Sequence, residues 1–183
     1  SRCQALVQRM DRFGIDRAWV GNIHGIFYKN CQSANEELTE AAAPFRNRLI
    51  PFAVLNPTYA DWEHDLDVCV SRLGMKGLRL YPQYHGYEAG GERCMALVDA
   101  ARQLKLPVAF TTRLVDERQQ SWLDQAPRLE MEAILRVMEK APQGKYVVLH
   151  AFPTAMYSPE ATKAVKSIEV VFDTIYGTGV PVG

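Results

Sequence analysis

Short apolar runs alternate with amphipathic stretches along almost the whole chain, and this alternation limits the folds open to it more than any other feature. Runs near 17–20, 49–55, 77–81, 108–111, 146–150 and 168–172 are brief, apolar and bounded by turn residues. Strands of a parallel sheet, buried on both faces, read this way. Between the runs lie helical stripes. Cys3, Leu6, Val7 and Met10 recur at helical spacing until Gly14 ends the stretch, and Trp62, Leu66, Cys69, Val70 and Leu73 do the same further on. Leu97, Ala100, Ala101 and Leu104 form another stripe, and Met131, Ile134, Leu135 and Met138 a fourth. Ser33 followed by Glu36 has the spacing of a capping box and predicts a further helix start. Strands that alternate with helices pair in parallel through right-handed crossovers, so the class is α/β.

With 183 residues, 48% of them hydrophobic and 23% charged, the chain can bury one sizeable core. The expectation is a single domain over 1–183. Lys plus Arg equals Asp plus Glu at 21 each, which gives no electrostatic reason to expect a nucleic acid or an anionic membrane as partner. No apolar run reaches the roughly 18 residues a membrane helix needs, and the opening Ser1-Arg2-Cys3-Gln4 lacks the apolar centre of a signal peptide. The chain reads as cytoplasmic. Cys3, Cys31, Cys69 and Cys94 are irregularly spaced, without a CxxC pair, and read as reduced, packed thiols. Neither GxGxxG, a P-loop, GxSxG nor HExxH occurs. Gly90-Gly91 reads as a turn before a helix.

The densest chemistry follows the third run, in Gly74-Met75-Lys76-Gly77-Leu78-Arg79-Leu80-Tyr81-Pro82-Gln83-Tyr84-His85-Gly86-Tyr87. Period-two alternation sets Leu78 and Leu80 on one face and Arg79 and Tyr81 on the other. If that second face looks into a barrel or cleft, Arg79 offers a planar cationic fork to a carboxylate or phosphate, and Tyr81 and His85 can exchange protons. The rival reading pairs Arg79 with an acidic neighbour and leaves His85 solvated in a loop. Arg113 stands directly after the fourth run and heads a charged segment, 113–120, with the character of a long strand-to-helix loop. Asp116 and Glu117 in that segment read as a locally paired surface, while Arg118 joins Arg79, Tyr81, His85, Arg113 and His150 in a cationic, aromatic set expected at one face. His64, among Asp61, Glu63 and Asp65, reads as a surface residue.

Together with Ile50-Pro51-Phe52-Ala53-Val54-Leu55-Asn56-Pro57, Ala34-Asn35-Glu36-Glu37-Leu38, Leu106-Pro107-Val108 and Val147-Val148-Leu149-His150, this segment resembles the amidohydrolase-related family. That family is the branch of (β/α)₈ metal-dependent hydrolases that also holds ring-acid decarboxylases and lactonases. The resemblance implies a TIM-like barrel. A complete one takes about 250 residues. The chain opens on a helix, and too few residues separate 168–172 from Tyr176-Gly177-Thr178-Gly179 for a crossover of about a dozen. The barrel is therefore expected to be incomplete in this chain, without its first strand and a late helix.

The resemblance also implies a divalent metal such as zinc and a histidine at His150 that binds metal or moves a proton. Other expected ligands have no counterpart. No His-x-His pair occurs, the histidine after Pro107-Val108 is replaced by Phe110 or a threonine, and Gly179 stands in Gly177-Thr178-Gly179-Val180-Pro181 where the family carries an Asp. No metal is expected on the visible residues. The functional expectation is an amidohydrolase-like hydrolase, decarboxylase or lactonase acting on a small carboxylated substrate. His150, Arg79 and Tyr81 are its candidate catalytic residues, and Arg113 and His85 its candidate substrate-binding residues. The alternative is a metal-free, non-catalytic barrel that binds a small anion. A homo-oligomer is compatible with either.

Overall fold

The structure, a computed structural model, describes residues 2–114 and 126–150. Six short strands and six α-helices are found among them. The strands are β1 (Ala18–Val20), β2 (Leu49–Pro51), β3 (Ala53–Val54), β4 (Leu78–Leu80), β5 (Pro107–Thr111) and β6 (Lys145–Leu149). The helices are α1 (Arg2–Arg12), α2 (Gln32–Ala42), α3 (Trp62–Asp67), α4 (Pro82–His85), α5 (Glu92–Gln103) and α6 (Met131–Lys140). All strand pairs are parallel: β1 lies beside β2, and β3, β4, β5 and β6 follow in order. Five of the six expected runs are therefore strands, and the sixth, 168–172, lies outside the described residues.

Alternation along each strand divides the molecule into two packed layers. Leu78 and Leu80 of β4, Val108 and Phe110 of β5, and Tyr146 and Val148 of β6 face the helices, where they meet Leu97, Val98 and Ala101 of α5 and Ile134 and Val137 of α6. The opposite faces carry Ile50, Phe52, Ala109, Val147 and Leu149, which pack on one another as the inner layer of a barrel does. Burying an aliphatic side chain in such a layer stabilises by about 1.5–3 kcal/mol. Register is thus firmly set, since slipping any strand by one residue would exchange the two layers.

The second run is divided at Phe52. Phe52 N–H still donates to Val20 at 2.8 Å, and Ala53 N–H donates across to Gly77. The next amide on the β1 side, Val54, finds no strand, because β1 has ended at Val20. The wholly buried side chain of Asn35 on α2 takes its place: Oδ1 accepts from Val54 N–H and Nδ2 donates to Val54 C=O, both at 2.9 Å. A helix side chain so completes the edge of a strand, as buried backbone requires.

Local starts differ from expectation at two places. Helix α2 begins at Gln32, with Cys31 before it, so Ser33 lies inside the helix and not at its cap. Asn30 explains the earlier start, because its Oδ1 accepts from Gln32 N–H at 2.8 Å. The loop after β4 also winds into α4, closed by Gly86 in the left-handed conformation at φ 68°.

Candidate functional site

In a parallel sheet every strand ends at one edge, and the loops there share one mouth. Arg79, central in β4, points to the inner face. Its Nε donates to Thr111 Oγ1 at 3.2 Å, and its guanidinium carbon lies 5.5 Å from the centre of the Tyr81 ring. Gly21, just past β1, leaves room for it, as a Cβ there would come within 3.1 Å of Arg79 Cδ. The arginine is held on three sides, by β1, β5 and an aromatic face, the last a favourable seat for a guanidinium.

Tyr81 is buried and meets Tyr84 and His85 edge-on, with ring centres 6.4 and 6.3 Å away. His85 turns into the protein. Its Nε2 lies 3.0 Å from the Gly25 carbonyl, which also accepts from Cys31 Sγ at 3.3 Å. A ring nitrogen facing a carbonyl carries the proton, so Nε2–H donates and Nδ1 is the unprotonated nitrogen. Burial lowers the His85 pKa, against the opposing pull of the Gly25 carbonyl, and the ring stays neutral. His85 therefore joins the loop after β4 to the short 3₁₀ turn Ile23–Phe27 after β1.

The resemblance leaves a strand-end position open between Phe110 and a threonine, and the pleat sends the two to opposite faces. Phe110 faces the helices, stacked on Tyr146 at 6.4 Å, whereas Thr111 is fully buried and reaches Arg79 from the inner side. Of the two, Thr111 is the one on the inner face. Sequence reasoning also missed Gln83, whose Nε2 donates to Thr111 C=O at 2.9 Å and Thr112 C=O at 3.3 Å. Its Oε1 is shielded without a hydrogen-bond partner among the described residues. No periodicity marks Gln83, since it sits in the unforeseen α4. Arg113 and His150 follow the ends of the adjacent strands β5 and β6, on the same edge as Arg79. His150 is half-buried, and its backbone is left-handed at φ 58°.

A metal does not fit the described residues. Among them no three His, Cys, Asp or Glu side chains converge. His24 is half-exposed beside Glu37 at 3.6 Å, His64 is exposed, and His85 is committed to Gly25. Burial first, then Asp65, pushes Cys31 and Cys69 up to about 12, so neither thiol is a ready nucleophile. Gly179 and the charged segment beyond Leu114 lie outside the described residues.

The family model described as amidohydrolase matches residues 6–166. No curated protein matches the chain. Solved structures do. A TIM-barrel protein from Bordetella bronchiseptica superposes with a TM-score of 0.60 at 14% identity, covering 92% of this chain and 58% of its own. A 5-carboxyvanillate decarboxylase from Novosphingobium aromaticivorans, solved with bound manganese and 3-methoxy-4-hydroxy-5-nitrobenzoic acid, gives 0.59 at 18%, covering 80% and 49%. A probable 2-pyrone-4,6-dicarboxylic acid hydrolase from Acinetobacter baumannii, with citric acid bound, gives 0.58 at 12%, covering 92% and 58%. The chain spans about half the length of these structures, which show its fold to be that of a TIM barrel present in part. The matched residues take in all of the described strands and helices α2 to α6, and the chain belongs to the amidohydrolase family.

Proposed function

We propose that this chain forms part of an amidohydrolase-type enzyme that hydrolyses or decarboxylates a small carboxylated compound. One observation carries the reading: the Arg79 guanidinium is held on the inner face of the sheet, beside the carboxyl ends of the strands, by Thr111 and Tyr81. Its Nε is used by Thr111, which leaves the outer nitrogens as a fork for a carboxylate. Arg113, which follows β5 at the same edge, is assigned as a second cation for the carboxylate. Tyr81, buried against the Arg79 guanidinium, orients it and can donate its phenol. His150 acts as general acid or base, taking a proton from water or a hydroxyl in hydrolysis and giving one to the carbon that loses CO₂ in decarboxylation. His85, neutral and bonded to Gly25, shapes the wall from behind.

Support comes from the neighbours, which include a decarboxylase and a probable hydrolase of carboxylated rings. The full-length protein should turn over a carboxylated aromatic acid or lactone, and His150→Ala should remove that turnover. Unchanged turnover in His150→Ala would sink the proposal. A second reading, a metal-free barrel that binds an anion without turning it over, draws on Thr111, a poor metal ligand at a position where the resemblance leads one to expect histidine. Carboxylate binding without turnover across a hydrolase and decarboxylase panel would favour it.

A further inference from the structure

Thr112 joins several elements at the carboxyl edge. Its N–H donates to Leu149 C=O at 3.1 Å, and its C=O accepts from Leu129 N–H, ahead of α6, at 2.8 Å. The same carbonyl accepts from Gln83 Nε2 at 3.3 Å. The hydroxyl reaches two carbonyls of β6 and its continuation, Leu149 at 3.1 Å and His150 at 2.6 Å. One hydroxyl carries one proton. Leu149 C=O already receives the Thr112 amide, and the His150 distance is the shorter, so the proton goes to His150.

That carbonyl belongs to an unusual residue. His150 has φ 58°, a left-handed backbone that non-glycine residues avoid, and it follows directly on a regular strand. Such a conformation persists only where its surroundings over-determine it. The Thr112 hydroxyl is one such restraint and acts on the peptide that leaves His150. Thr112 is itself only 1% exposed, so water does not compete for the bond.

We propose that Thr112 is a positioning residue: its hydroxyl locks the left-handed turn at His150 and so fixes where the imidazole is presented at the mouth of the barrel. The inference deepens the proposed function and rests on the role given there to His150. It assigns to Thr112 a task that its neighbour does not share, because Thr111 holds Arg79 on the inner face.

The test uses the full-length protein, with Thr112→Val to remove the hydroxyl at constant shape and Thr112→Ser to keep it. Ring proton signals of this chain's four histidines, each assigned by its single replacement, are followed through a pH titration. Thr112→Val should move the His150 signal and its titration midpoint, Thr112→Ser should restore both, and His24 and His64 should stay in place in each. A double-mutant cycle with His150→Gly supplies an independent reading from melting temperatures. Glycine adopts positive φ without strain, so Thr112→Val should lower Tm by several degrees beside His150 and by less beside Gly. Unmoved His150 signals in a folded Thr112→Val, or equal losses of Tm in the two backgrounds, would overturn the proposal. Should Thr112→Val not fold, Thr112→Ala takes its place in both measurements. If His150→Ala leaves turnover intact, the functional reading falls, while the signals and the cycle still decide whether Thr112 holds the turn.

Discussion

Asn35 and His85 show how single buried polar groups tie the loops to the barrel. The Asn35 amide satisfies both backbone groups of Val54, and removing it strands a buried N–H and a buried C=O. Each unsatisfied group costs about 1–3 kcal/mol, so Asn35→Ala should destabilise by roughly 2–6 kcal/mol in urea unfolding. His85 gives a pH signature. Its pKa is lowered in the folded state from the ordinary 6.5, so the unfolded chain binds the proton more tightly. The stability tied to a neutral His85 is complete above pH 6.5 and is lost as pH falls from there through the folded-state pKa. Unfolding free energies of the wild type and His85→Gln, compared from pH 8 down to pH 5, should converge towards the acid end. A constant gap would show that His85 does not titrate with folding.

At the scale of strands and helices a very close fit lies where β4 is entered beside the divided second strand. A Cβ on Gly77 would lie 2.5 Å from ring atoms of Phe52, and Phe52 is stacked on Trp19 at 4.9 Å. Gly77→Ala must therefore move a ring in the inner layer, at a cost of roughly 1–3 kcal/mol. Trp19 fluorescence should shift with it, isolated by Phe replacements of the other two tryptophans. The strands were legible from sequence because buried parallel strands are short, apolar and flanked by Gly and Pro, as Gly77 to Pro82 shows. The inner and outer faces of β4 followed from alternation alone. Less could be read where side chains replace backbone partners. Asn30 moved the start of α2 ahead of Ser33, and α4 formed in four residues, Pro82–His85, too few for any period to register. Arg79 was found because a cation in an apolar strand stands out; Gln83, Thr111 and Thr112 carry no such mark, since their role lies in which carbonyl or guanidinium they meet across the sheet.

Over the whole molecule, opposite charges balance and the pI is about 6.9, so repulsion between copies is weakest near neutrality. Phe13, Ile15, Trp19, Phe27 and Tyr28 are also exposed. Light scattering at low salt should peak near that pH and fall on either side, and a flat profile would argue against charge control of association. No described helix is long and apolar enough to cross a membrane. The sheet also hands over its edge in an uncommon way, from Val20 to a helix amide at Val54. Because Asn35 closes that edge, the segment from Gly21 to Asn30 owes nothing to strand pairing. Its anchors are instead Gly21 against Arg79, Gly25 against Val54 and His85, and Asn30 at the start of α2. One wall of the mouth is thus fastened to the frame by side chains, His85 on Gly25 and Asn22 on Ala34, so what the mouth admits can be revised contact by contact without breaking a strand pair.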